Sequence, residues 1–269
     1  MDKYNVYQDM SRRTGGEIYL GIVGPVRTGK STFIKRFMEL VVIPEMADDN
    51  EKVRTIDELP QSADGKTIMT TEPKFIPKEA AVIHFSNQET GKIRLIDCVG
   101  YLVPEAVGAI EEEKERMVKT PWSEEEIPFS KAAEIGTSKV IREHSNLGLI
   151  ITTDGSFGDI PAVNFEEALQ KTVMECEKAG KPFLILVNTS RPDSQETIQF
   201  TKRLEAQYGK TVMAVNCKTM DREDVFRIME QLLADFPITR LNFLLPKWVE
   251  FLQPDNWLKQ DLIEKCRNV

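Results

Sequence analysis

One octapeptide of the chain has residue types and spacing that suit a definite chemistry. Gly24-Pro25-Val26-Arg27-Thr28-Gly29-Lys30-Ser31 fits the pattern G-x-x-x-x-G-K-[ST]. It lies between an apolar run, EIYLGIVG at 17–24, and a segment in which Phe33, Ile34, Phe37, Met38, Val41 and Val42 recur at helical spacing until Pro44. In that strand–loop–helix setting the glycines let backbone N–H groups curl around phosphate oxygens. The N-terminus of the following helix adds its positive dipole end. The reading places Gly24, Val26, Arg27, Thr28, Gly29, Lys30, Ser31 and Thr32 around a nucleoside triphosphate. Lys30 bridges the β- and γ-phosphates and the Ser31 hydroxyl binds Mg²⁺.

A second group belongs on the metal and water side. Asp97-Cys98-Val99-Gly100 follows the apolar run KIRLI. An acidic residue at such a strand end holds Mg²⁺, and a glycine three residues on offers its N–H to the γ-phosphate. A lone D-x-x-G is common by chance, so its place two strands after the phosphate loop carries the assignment. In GKTIMTTEP (65–73), Thr70 and Thr71 are candidate sensors of the γ-phosphate, with Thr67 the weaker third. Thr71 joins Ser31 and Asp97 in the expected metal set, and Thr70 and Thr71 join Lys30 and Asp97 in the expected catalytic set. Residue chemistry leaves the division between the two threonines open. Tyr101 stands where many P-loop GTPases have a water-orienting Gln, so water must be positioned by another group. Arg27 either lends charge to the transition state or is solvated or paired with a carboxylate.

The third group concerns the base. LILVNTSRPDS (184–194) has a strand running into Asn188, with Thr189 and Arg191 where a guanine-reading loop has Lys and Asp. Guanine presents N1–H and N2–H₂ donors, and Arg has only donors. Arg191 therefore argues for ATP over GTP, unless a bulge at Pro192 brings Asp193 to the base. Asn216 and Lys218, after the last strand, hold the second base-contacting position.

These groups need a scaffold. Strands are expected at 17–24, 80–87, 92–98, 147–153, 182–188 and 211–217. Helices are expected from Lys30, and at 131–145, 165–180, 196–209 and 222–236, with 45–78 read as a long polar loop. Alternating strands and helices imply an α/β fold with a mostly parallel sheet covered on both faces. After Pro237 the alternation stops, so the expected organisation is 1–236 as a nucleotide-binding domain and 237–269 as the start of a following domain or a C-terminal extension.

Composition narrows the classes. Of 269 residues, 41% are hydrophobic and 29% charged, ordinary globular values. No apolar run approaches the roughly 20 residues of a membrane span, and MDKYNVYQDMSRR has no apolar signal region. Cys98, Cys176, Cys217 and Cys266 form no CxxC pair, which suits reduced thiols in a cytosolic protein. The formal net charge of −8 without a basic block argues against nucleic-acid binding. The acidic stretches at Glu111–Glu113 and Glu124–Glu126 read as solvated faces. His84 and His144 stand apart from any ligand cluster.

GPVRTGKSTFIKRF, the TTEP loop, DCVGYLVPEA, TPWSEEEIPF and ITTDGSFGDIP together resemble the stage IV sporulation protein A family of spore-forming bacteria. The resemblance runs along the chain and implies a relative of translation-factor GTPases that hydrolyses ATP. It further implies Mg²⁺ as cofactor and Lys30, Asp97, Thr70 and Thr71 as functional positions. By the same resemblance the protein polymerises on itself in the mother cell, at the forespore surface, forming the base layer of the spore coat. Its implied partners are a small amphipathic membrane-bound peptide, through which alone it meets the membrane, and the coat proteins. Members of the family are longer, so the chain corresponds to their N-terminal nucleotide-binding part.

Overall fold

The computed structural model describes residues 14–60, 72–84, 90–104, 110–111, 114–236 and 247–267. A six-stranded sheet runs in the order β10-β9-β8-β1-β3-β2. It comprises β1 Glu17–Val23, β2 Lys74–His84, β3 Thr90–Asp97, β8 Leu147–Thr153, β9 Phe183–Asn188 and β10 Val212–Val215. All neighbours pair in parallel except β2, which lies antiparallel on β3 at one edge. Every residue of β8 and β9 is buried, as expected for central strands covered on both faces.

Helices supply the covers. On one side, α1 Lys30–Phe37 continues through a π-helical turn at Met38–Val42. Phe33, Ile34, Phe37, Met38, Val41 and Val42 pack with Leu20, Ile22, Leu149, Leu184 and Leu186, together with Val225, Ile228 and Met229 of α6 Arg222–Ala234. On the other side, Val140 and Ile141, in the π-helical turn after α3 Phe129–Lys139, join α4 Glu166–Ala179 and α5 Gln195–Tyr208 in covering Ile96, Ile150, Ile185 and Val187. Gly180 and Gly209 end α4 and α5 at φ 63 and 62, a C-terminal stop that glycine adopts without strain.

One expectation needs correction. The segment 45–78 is no featureless loop. It contains α2 Asp49–Glu58, capped by Asp48 accepting from the Asn50 N–H, and β2 begins at Lys74. The sequence hid α2 because only Thr55 is buried and its apolar Val53 and Ile56 are exposed. The stretch 99–130 also holds structure: β6 Met117–Thr120 pairs antiparallel with β7 Ser123–Pro128, and a two-residue pair, β4 Ile110–Glu111 with β5 Lys114–Glu115, precedes it. Glu124, Glu125 and Glu126 are exposed on β7, the solvated face expected for them.

The outer edge at β2 is irregular. Its register on β3 shifts between Ile76 and Ala81, and the Lys78 N–H donates to Glu58 Oε2 of α2 at 2.9 Å. The chain divides into two compact units, Met1–Phe236 and Pro237–Val269. The second contains α7 Lys247–Glu250 and α8 Trp257–Arg267, with Trp248, Phe251 and Trp257 exposed.

Candidate nucleotide site

The glycine-rich loop sits at the C-terminal end of β1, the end of a parallel sheet where ligands bind. Its path depends on close approaches. Gly24 has φ 129, and a Cβ there would lie 2.3 Å from the Ile151 carbonyl oxygen. Gly29 (φ 95) occupies the N-cap of α1, and no side chain caps that helix, so its first N–H groups remain for an anion. Arg27 has φ 61, the one positive φ outside glycine among the described residues, and its side chain is exposed. Val26 and Thr28 beside it are buried.

Lys30 is buried, and its Nζ donates to the carbonyls of Gly24 (3.3 Å) and Pro25 (2.5 Å). The Ser31 hydroxyl donates to Asp97 Oδ2 at 3.0 Å. Thr32 is half-buried. Gly100 (φ 91) presses against this loop so closely that a Cβ there would lie 2.0 Å from the Gly24 carbonyl oxygen and 2.7 Å from Lys30 Nζ. The Val26 N–H donates to the Tyr101 carbonyl at 2.9 Å. The structure thus brings together Lys30, Ser31, Asp97 and Gly100, which lie up to 70 positions apart in sequence.

Burial dominates the electrostatics. It pushes the Asp97 carboxyl above the usual carboxylate range, against the opposing pull of the Lys30 charge and the Ser31 hydroxyl. It draws the Lys30 ammonium below the usual lysine range, with Cys98 and Asp97 pulling the other way. Asp97 Oδ1 is buried and meets no hydrogen-bond donor. An orphaned carboxylate oxygen beside a serine hydroxyl is an all-oxygen donor set, which suits Mg²⁺. Among the described residues no group of three His, Cys, Asp or Glu forms an all-protein metal cage. Mg²⁺ needs none, since it is held by one or two carboxylates plus substrate phosphates. The residues fit the ion.

At the base end, Asn188 is buried and spans two loops. Its Nδ2 donates to the Thr28 carbonyl (3.0 Å) and its Oδ1 accepts from the Cys217 N–H (3.0 Å). Thr189 is fully buried and points inward, its hydroxyl donating to Asp154 Oδ2 at 2.6 Å. The Ser156 N–H donates to Asp154 Oδ1, and the Ser190 N–H to Ser156 Oγ. Arg191 and Asp193 are both exposed, and the Arg191 N–H donates to Thr189 Oγ1 (3.2 Å). Asn216 Oδ1 accepts from the Lys218 N–H in a tight turn, and the Lys218 side chain is exposed. Thr67, Thr70 and Thr71 lie outside the described residues.

The chain matches a family model described as stage IV sporulation protein A, ATPase domain, over residues 1–237. The chain belongs to the stage IV sporulation protein A family. Its relatives in that family include the stage IV sporulation protein A of Bacillus subtilis (strain 168), 48% identical over 267 residues, 99% of this chain and 54% of the relative. The Bacillus anthracis protein is 48% identical over 98% of this chain and 54% of the relative. The Clostridioides difficile (strain 630) protein is 47% identical over 96% of this chain and 53% of its own length. This member of the family therefore spans about half the length of the curated relatives it matches.

Sequence reasoning missed two features of this family member's site. The Asp154–Ser156–Thr189 network had no signal beyond the unexpected threonine at 189. Tyr101 was read only as a missing glutamine. Its ring is in fact buried with Val26, Val103, Ile160, Phe165 and Ala168, and burial raises its phenol well above the usual value. No helix among the described residues is long and apolar enough to cross a membrane.

Proposed function

We propose that this chain is a P-loop ATPase domain of the translation-factor GTPase type, and that Mg²⁺-dependent ATP hydrolysis in it drives self-polymerisation into the basement layer of the spore coat. The observation that carries the ATPase reading is the convergence of Lys30, Ser31 and Asp97 on one glycine-rich loop, with Asp97 Oδ1 buried and unpartnered. The antiparallel edge strand on an otherwise parallel sheet suits the translation-factor type. The assembly reading is supported by family membership, as is action in the mother cell at the forespore surface. So are the partners: other copies of the protein, a small amphipathic membrane-bound peptide, and coat proteins.

In this mechanism the backbone N–H groups of Thr28 to Ser31 cradle the phosphates, and Lys30 turns its ammonium from the loop carbonyls to the β- and γ-phosphates. Ser31 Oγ and Asp97 Oδ1 are the oxygens that would hold Mg²⁺, which when bound would neutralise negative charge on the phosphates. Gly100 offers its N–H to the γ-phosphate from a position already in contact with Lys30. Thr70 and Thr71 complete the sensing side. At the base end, Thr189 turned to Asp154 leaves no lysine stem for a purine, and Arg191 presents donors only. That arrangement favours adenine.

A second reading, a nucleotide-bound scaffold with negligible turnover, is favoured by Tyr101, whose ring lies in an apolar cluster where a water-orienting group belongs. One experiment separates the readings from each other and from a regulatory GTPase: competitive nucleotide binding and phosphate release, ATP against GTP with Mg²⁺, beside Lys30→Ala. ATP preference with phosphate release, both abolished by Lys30→Ala, is the expected result. Binding without release supports the scaffold, and a GTP preference assigns base reading to Asp193 and the GTPase class.

A further inference from the structure

Arg27 holds a left-handed backbone conformation that an L side chain crowds. Glycine would occupy φ 61 without strain. The conformation is imposed from both sides. Val26 is fixed by its N–H bond to the Tyr101 carbonyl and by burial against Tyr101, Ile160 and Phe165. Thr28 is fixed by its hydroxyl on the Pro25 carbonyl (3.0 Å) and by the Asn188 amide on its own carbonyl (3.0 Å). Between these anchors the Arg27 side chain leaves the apex of the loop exposed. An outlier held this firmly, at a residue type ill suited to it, points to a use for the side chain. The site also has a task unfilled. Tyr101 is buried in the apolar cluster and brings no polar group to the phosphates, and Lys30 is the buried cation of the loop.

We infer that Arg27 is a catalytic residue of the proposed hydrolysis, its guanidinium folding back from the loop apex onto the γ-phosphate to neutralise the charge that develops in the transition state. This rests on the ATPase reading. In the reaction the attacking water oxygen bonds to the γ-phosphorus as the β–γ bridging P–O bond breaks, and the bonding pair stays on the bridging oxygen of ADP. One water proton remains on the released phosphate and the other passes to solvent. Arg27 forms no bond in this step. Its planar, permanently charged fork holds two oxygens of one phosphoryl group with paired N–H bonds in a fixed geometry, where an ammonium acts as a point charge. Because the interaction belongs to the transition state, it raises turnover without tightening ATP binding.

The test compares the full-length protein with its Arg27→Gly and Arg27→Lys variants by three readouts: phosphate release, thermal stability, and binding of ATP against ADP with aluminium fluoride, a transition-state mimic. Arg27→Gly is expected to lower kcat on the order of 10³-fold. ATP affinity and Tm should hold or rise, since the strain is gone, while binding of the aluminium fluoride complex is lost. Arg27→Lys should be slow as well. Turnover of Arg27→Gly within threefold of the natural protein overturns the inference. Equal losses for ATP and the mimic also overturn it, making Arg27 an ordinary phosphate contact, and a falling Tm alongside lost turnover makes it a structural residue. A natural protein that binds neither ATP nor the mimic overturns the ATPase reading and this one with it; one that binds and turns over beside an equally active Arg27→Gly overturns this one alone.

Discussion

Asn188 does with one amide what usually takes two side chains. Its NH₂ holds the phosphate-side loop at Thr28, and its carbonyl oxygen holds the base-side turn at Cys217. Replacing it with Ala leaves a buried carbonyl and a buried N–H unpaired, which costs about 1–3 kcal/mol. Asn188→Ala should show that loss in urea unfolding, together with weaker nucleotide binding in a fluorescent-nucleotide titration. Tyr101 sets a different expectation. A glutamine at 101 restores the residue type found in many GTPases, yet the position faces an apolar cluster. Tyr101→Gln should therefore lose about 2–3 kcal/mol from lost packing and a buried amide. Phosphate release should not rise, and a faster Tyr101→Gln would show that position 101 faces the water after all. At this scale the convergence of Lys30, Ser31 and Asp97 was legible because the G-x-x-x-x-G-K-[ST] and D-x-x-G patterns sit at the ends of predicted strands. The Thr189 contact with Asp154 was not, because pairing across 35 positions leaves no local pattern.

Elements were legible where burial was one-sided. Residues 147–153 are β8 as expected, and α4 ends at Gly180, where the expected helix ends. The sequence failed at α2 and at the β6–β7 hairpin, where the periodic apolar face that betrays an element is absent: both are short, charged and largely exposed. Their stability comes from ends and turns instead. A related device is explicit at α6, where the Asp221 carboxylate accepts from the Asp224 N–H and Asp224 returns the contact to the Asp221 N–H. Losing that reciprocal cap costs about 1 kcal/mol. Asp221→Ala should lower Tm by a few degrees in thermal unfolding. An unchanged Tm would mean the cap is redundant with the packing of Val225, Ile228 and Met229.

At the scale of the whole molecule, three thiols report the integrity of the fold. Cys98, Cys176 and Cys217 are buried, and burial pushes Cys176 and Cys217 from 9.0 up to about 12. In the unfolded chain they ionise near the ordinary value, so the unfolded state releases protons that the folded state keeps. Their stabilising effect is therefore complete below about pH 9 and is lost as pH rises from there toward 12. Unfolding midpoints should fall steeply across that window, more gently in a Cys176→Ala, Cys217→Ala variant. At pH 8 iodoacetamide should leave both thiols unmodified until denaturant is added; rapid labelling of the native protein would contradict their burial.

The edge strand β2 has a consequence for how copies of this molecule can join. An open sheet edge is a template for a neighbour's strand. Here the template is spoiled three times over, by Pro77 with no N–H to give, by the register shift between Ile76 and Ala81, and by Glu58 already holding the Lys78 N–H. In the proposed polymer, growth by stacking β2 on β2 is thus disfavoured, and subunits would join through other contacts. A fibre built that way keeps each domain's own fold and lacks the 4.7–4.8 Å repeat of stacked strands along its axis.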